Sequence, residues 1–169
     1  CSMACLIKNG KIIESGIYVP SENYILCINH ISGESKMSNN KESIRNIDFP
    51  KPICYAYSPI KDACKNRDLV LNQIDKIGCG FVRYGSAGYG LYQCLSGRLD
   101  GFIGQGVRIW DVVPLFKLLV EKNFYVFYKI NNNSLDVIVH NKNEVIKNFI
   151  SLDAFSNLIK FNEEIIWQV

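Results

Sequence analysis

The stretch from Arg83 to Asp111 constrains the fold of this chain more than any other, because its glycines and capping residues cut it into elements of set length. Ser86, preceded by Gly85, stands where a helix N-cap belongs, and Gly97 stands where a C-cap glycine ends a helix. The spacing predicts a helix over residues 87–96, about three turns. A short strand follows. Trp110-Asp111 then precedes Val112, Leu115, Phe116, Leu119 and Val120, a helical spacing that keeps Pro114 in the first turn. Asp111 is therefore expected at a helix start, where an isolated Asp is most simply an N-cap, and Trp110 is most simply a core or wall residue. Both helix starts follow strands, and in an open α/β sheet such turns tend to face one crevice.

The rest of the chain can be placed around this stretch. Residues 1–8 and 11–19 read as strands joined by Asn9-Gly10, a strong hairpin signal, and after a break at Pro20-Ser21 a third strand covers 23–31. This is the remainder of an antiparallel sheet subdomain, residues 1–31. Residues 32–52 turn polar, with Gly33, Ser35, Ser38, Asn39, Asn40, Pro50 and Pro52, and read as a linker. Residues 53–150 then alternate strands and helices as an α/β subdomain: a strand at 53–57, a turn at Pro59, a helix capped by Asn66 and stopped at Gly78, and a strand at 81–84. Further strands at 124–130 and 135–140 flank an Asn131–Ser134 turn, and Asn141 is the expected cap of a helix at 142–150. Residues 151–169 carry Leu152, Phe155, Leu158, Ile159, Ile165 and Ile166 and read as an additional helical packing segment.

Composition excludes several function classes. The net charge of +3 is interspersed, and no window gathers Lys and Arg as nucleic-acid binders do. Seven cysteines are scattered without metal-binding pairs, and with only two histidines a Cys/His metal site has little material. Free thiols in a reducing cytoplasm are the expectation. No apolar run approaches a membrane span, and no secretory leader pattern opens the sequence. His30 and His140 sit in ordinary strand-end contexts, without evidence for a Ser-His-Asp site. The glycines at 85, 88 and 90 do not form a nucleotide loop.

Gly-Ser-Ala at 85–87, Gly-Arg-Leu-Asp-Gly at 97–101 and Trp-Asp at 110–111, in this order and spacing, resemble the C-terminal half of the inositol monophosphatase family. The resemblance runs back through the strands at 2–28 and forward to about residue 150. It implies an α+β layered fold, an α/β/α/β/α sandwich, incomplete here at its N-terminal side. It further implies Mg2+-dependent hydrolysis of inositol monophosphate or a related small sugar phosphate, with Asp111 as a metal ligand and the turn Gly85, Ser86, Ala87 against substrate hydroxyls. A homodimer follows from the same resemblance. Arg108 and Arg83 are candidates for anion contact, whereas Arg98 and Asp100 fit a turn and surface ion pair equally well.

Two departures matter. Many relatives carry an acidic residue, in contact with a substrate hydroxyl, where this chain has Gly104. The family's Glu pair and Asp-x-x-Asp-Gly-Thr loop, which supply the remaining magnesium ligands, do not occur here. The chain therefore reads as the C-terminal portion of such a phosphatase. The alternative is a catalytically inactive family member acting as a binding or assembly protein.

Overall fold

The computed structural model describes residues 1–38, 51–57, 66–162 and 164–165. Asn39, Asn40, Pro50, Pro59, Cys64 and Ile166, used in the sequence reading, lie outside the described residues.

The N-terminal meander consists of β1 (Ser2–Lys8), β2 (Lys11–Val19), β3 (Tyr24–Asn29) and β4 (Ser35–Ser38), paired antiparallel in that order. Asn9 and Gly10 both take positive φ, 52° and 77°, as a two-residue hairpin of the twist-matched type requires. Residues 35–38, read from sequence as part of a polar linker, add the fourth strand.

The second sheet has the order β10-β8-β9-β7-β5-β6, built from β5 (Ile53–Tyr57), β6 (Phe81–Val82), β7 (Gly101–Arg108), β8 (Tyr125–Asn131), β9 (Ser134–His140) and β10 (Ile159–Lys160). Strand β5 runs parallel to both β6 and β7, and the other pairings are antiparallel. Among the described residues the four helices are α1 (Arg67–Lys76), α2 (Ala87–Leu95), α3 (Phe116–Glu121) and α4 (Asn143–Ile150).

Burial arranges these elements into layers. The inner face of the meander (Ile12, Ile17, Val19, Leu26) shares one core with α2, α3 and one face of the second sheet, including Phe102, Val126 and Val137. The opposite face of that sheet, with Ile53, Tyr55, Ile103 and Ile138, packs on Val70 and Ile74 of α1 and on Ile146 and Phe149 of α4. The order of layers is sheet, helices, sheet, helices, the α+β layering that the resemblance implies.

Local departures have physical causes. The helix expected directly after Asp111 begins at Phe116: a 3-10 turn spans Ile109–Asp111, Val112 has φ −137° and ψ −43°, and a second 3-10 turn spans Val113–Leu115. Val112, in a non-helical conformation, separates the two 3-10 turns, and the regular helix forms only beyond Leu115. Asn141 does not cap α4. The N-cap is Lys142 without a side-chain bond, and the Asn141 amide donates to Asp100 at 2.9 Å. Asn66 likewise makes no capping side-chain bond to α1. In place of a helix beyond 150 there is a 3-10 turn at Asp153–Phe155, a break at Asn157 with φ 65°, and β10 on the edge of β8. Phe155 and Phe161 are buried by this path, which a continuous helix would not give.

Candidate functional site

The parallel strands β6, β5 and β7 end on the same side of the second sheet. The turn after β6 carries Arg83 to Ser86 into α2, and the turn after β7 carries Ile109 to Asp111 toward α3. The carboxyl edge of parallel strands is where open α/β sheets place their ligand crevice.

Each residue of the first turn has a local reason for its position. Gly85 has φ 71°, a conformation that a side chain disfavours. Ser86 is extended, with φ −136° and ψ 117°, and its Oγ accepts a hydrogen bond from the backbone N–H of Tyr89 at 3.3 Å, the expected N-cap. Gly85 and Ser86 are exposed and Ala87 is half-buried. At the far end of α2, Gly97 has φ 73°. Its N–H donates to the Cys94 carbonyl and that of Arg98 to the Gln93 carbonyl, both at 2.9 Å, closing the helix in the pattern of a glycine C-cap.

The two turns are brought against one another. A Cβ placed on Gly88 would lie 3.2 Å from the Asp111 carbonyl oxygen and 2.9 Å from Met3 Sδ. Glycine at 88 therefore lets the first turn of α2 close onto the Trp-Asp turn, with β1 underneath. Asp111 itself is half-buried, and among the described residues no hydrogen bond or ion pair holds its carboxylate. It is not the helix N-cap that the sequence suggests.

Other expected contacts go elsewhere. Arg108 ends β7, exposed, with its guanidinium carbon 5.7 Å from the centre of the Trp110 ring. Trp110 is 60% exposed, neither core nor wall. Arg83 stacks 4.0 Å over the Tyr57 ring and donates to the Tyr57 hydroxyl at 2.8 Å. Arg98 pairs with Glu22 at 2.7 Å, whereas Asp100 accepts from the Lys51 N–H and from Asn141. Gly104 is enclosed: a Cβ there would meet Phe102 at 2.9 Å, Val137 at 3.0 Å and Val107 at 3.1 Å. A larger side chain at this position would have to displace that packing before it could point into the crevice.

The most connected polar residue is one that sequence reasoning missed. Glu22, in the 3-10 turn between β2 and β3, accepts hydrogen bonds from Tyr89 (3.1 Å), Tyr92 (2.7 Å), Gln93 (3.4 Å) and Arg98 (2.7 Å). Burial raises its carboxyl pKa, but hydrogen bonds from Arg98 and Tyr92 outweigh this and bring it down to about 2. Burial and the bond to Glu22 push the Tyr92 hydroxyl up. The network ties α2, which begins with the Gly85–Ala87 turn, to the meander. No local signal marks Glu22, since its partners are 67 to 76 residues away.

A second chain of bonds joins Ser15, His30 and Glu121. The Ser15 Oγ lies 3.0 Å from His30 Nε2, and His30 Nδ1 lies 2.8 Å from Glu121 Oε1. This is the order of nucleophile, base and orienting acid in hydrolases. Ser15 is only 3% exposed, however, and leaves no approach for a reacting carbonyl. The chain fastens the meander to the end of α3.

Among the described residues no group of three or more His, Cys, Asp or Glu side chains is placed to hold a metal ion. Asp111 offers one carboxylate, which does not by itself meet the octahedral oxygen shell of magnesium. No helix among the described residues is long and apolar enough to cross a membrane. The six described cysteines are free.

No family model matches the chain, and neither does any curated protein sequence. Solved structures do match. The extragenic suppressor protein SuhB of Bartonella henselae aligns with TM-score 0.67 and 19% identity over 92% of this chain and 60% of its own. The inositol monophosphatase of Anabaena (Nostoc) sp. PCC 7120 aligns with TM-score 0.68 and 18% identity over 90% of this chain and 66% of its own. An IMPase/NADP phosphatase complexed with Mg2+ and phosphate aligns with TM-score 0.62 and 16% identity over 87% of this chain and 57% of its own. Identities this low establish the fold. The chain has the inositol monophosphatase fold over about 90% of its length, and spans less than two thirds of each of these relatives.

Proposed function

We infer that the chain is part of a magnesium-dependent phosphatase of small phosphorylated polyols, with inositol monophosphate or a related sugar phosphate as substrate. One observation carries the reading. The exposed Gly85–Ala87 turn and the Asp111 turn, from the carboxyl ends of β6 and β7 on either side of β5, meet across Gly88 in a fold shared with proteins described as an inositol monophosphatase and as a phosphatase bound to Mg2+ and phosphate.

In this reading, backbone N–H groups at the start of α2 donate to substrate oxygens, helped by the positive end of the helix. Arg108 adds positive charge at the edge of the crevice. Asp111 contributes one oxygen ligand to a magnesium ion whose other ligands lie outside the described residues. Magnesium would supply charge neutralisation at the phosphoryl group and a more acidic bound water. Because the donor set within this chain is incomplete, no hydrolytic step is assigned to it. A homodimer and a cytoplasmic location complete the proposal.

The test is phosphate release from inositol monophosphate with and without magnesium by the intact gene product that carries this chain, comparing it with its Asp111→Asn variant, alongside calorimetric binding of the substrate. Magnesium-dependent release or binding, reduced at least tenfold in Asp111→Asn, is expected. Equal values in both proteins would remove Asp111 from the site. Binding without magnesium dependence or turnover would favour the catalytically inactive, binding-protein alternative.

A further inference from the structure

Glu22 draws its four donors from two parts of α2. Tyr89 lies in the first turn of the helix, whereas Tyr92 and Gln93 lie in its later half and Arg98 in the loop beyond. The carboxylate stands on a stiff platform. Pro20 opens the 3-10 turn that carries it, and Asn23 closes that turn at φ 49°.

The two tyrosines differ in what else they touch. Tyr92 is 3% exposed, and its ring centre lies 5.1 Å from that of Tyr24 on β3, inside the contact between α2 and the meander. Tyr89 meets the Gly85–Ala87 turn twice. Its backbone N–H donates to Ser86 Oγ at 3.3 Å, and its ring lies at 90° to that of Tyr84, the residue before Gly85, with centres 5.1 Å apart. The Tyr89 hydroxyl then reaches Glu22 at 3.1 Å.

We propose that Glu22 is a positioning residue for the Gly85–Ala87 turn and acts on it through the Tyr89 hydroxyl, while its bonds to Tyr92, Gln93 and Arg98 fasten the helix to the meander. What the turn binds is taken from the phosphatase reading, on which this inference rests. An exposed turn entered through a glycine has many conformations open to it, and ordering it at the moment of binding weakens affinity. Anchoring Tyr89 holds the cap donor to Ser86 and the ring against Tyr84 in place beforehand. Loss of that anchor removes binding shared by ground state and transition state, so KM rises while kcat is kept.

The test separates the two arms by deleting one hydroxyl from each, since Glu22→Ala would strip the acceptor from all four donors and could unfold the protein. In the intact gene product, Tyr89→Phe and Tyr92→Phe are compared by kinetics on inositol monophosphate with magnesium, by denaturant midpoint and by amide exchange. Both variants keep the aromatic ring. Tyr92→Phe, which loses the shorter and more buried bond of 2.7 Å, should lower the midpoint at least as far as Tyr89→Phe and leave KM within twofold. Tyr89→Phe should raise KM at least threefold with kcat within twofold. It should also speed exchange of the Tyr89 and Gly90 amides at least threefold, because both donate to Ser86, at 3.3 Å to its Oγ and 3.1 Å to its carbonyl. KM rising in both variants in step with lost stability would overturn the proposal, as would unchanged KM and exchange in Tyr89→Phe. If the unsubstituted protein neither binds nor hydrolyses inositol monophosphate, the phosphatase reading falls and the exchange comparison decides alone: faster exchange confined to Tyr89→Phe upholds the positioning role, and equal exchange in the two variants removes it.

Discussion

At the scale of single residues, two buried or partly buried titratable groups respond to acid through different physics. Glu22 is held ionised by donors on α2 and by Arg98, so its carboxylate stays charged down to about pH 2. His140 is 3% exposed. Its Nδ1 accepts the Lys142 N–H at 2.9 Å, which places the ring proton on Nε2, where no described group accepts it. Burial lowers its pKa from 6.5 to about 4. The unfolded chain therefore binds a proton that the folded chain refuses across this interval. Stability should be complete above about pH 6.5 and fall as pH drops toward 4, by at most about 3 kcal/mol for a shift of this size. Thermal unfolding followed from pH 7 to 4 should show this decline, and His140→Gln should flatten it. An unchanged slope in that variant would assign the acid sensitivity to other groups.

At the scale of elements, α2 is the piece on which the candidate site depends, and its glycines separate tolerance from intolerance. A Cβ on Gly90 would lie 2.6 Å from Cys54 Sγ and 3.0 Å from the Phe102 ring, both buried beneath the helix. Gly90→Ala should cost about 1–3 kcal/mol by overpacking. A Cβ on Gly88 mainly meets the flexible end of Met3, which is half-buried and can move aside, with the Asp111 carbonyl at 3.2 Å as the stiffer neighbour. Gly88→Ala should therefore cost less than Gly90→Ala, while shifting the Asp111 turn by a few tenths of an ångström. Denaturant unfolding of the two variants compares them directly, and the reverse order would refute this account of the packing. The start and end of α2 were legible in the sequence because Ser86 and Gly97 act on backbone groups within a few residues. The delayed start of α3 was not legible, since the apolar spacing from Val112 onward suits a helix and does not register the non-helical backbone at Val112.

At the scale of the whole molecule, the layers are joined by a few long-range polar links across the shared apolar core. Ser15, His30 and Glu121 bind the meander to α3, and Glu22 binds it to α2. Replacing His30 with Ala would leave the Ser15 hydroxyl buried without its partner, at a cost of about 1–3 kcal/mol. Chemical denaturation should report that loss, and Glu121→Gln, which keeps an acceptor on the exposed side of the link, should lose less. Equal losses would show that the link to Glu121, and not the buried Ser15 hydroxyl, carries the cost. The strands, the turns at Asn9-Gly10 and Asn131–Ser134, the capped helix α2 and the three motifs behind the family resemblance could all be read from residue order. Each rests on alternation, caps or positive-φ residues acting over short spans. Which donors converge on Glu22, why the Gly104 site is closed to a larger side chain, that Trp110 faces solvent, and that Asp111 lies against the start of α2 were decided only when the sheets packed together. Those outcomes come from side chains tens of residues apart competing for the same space, and no local pattern encodes that competition.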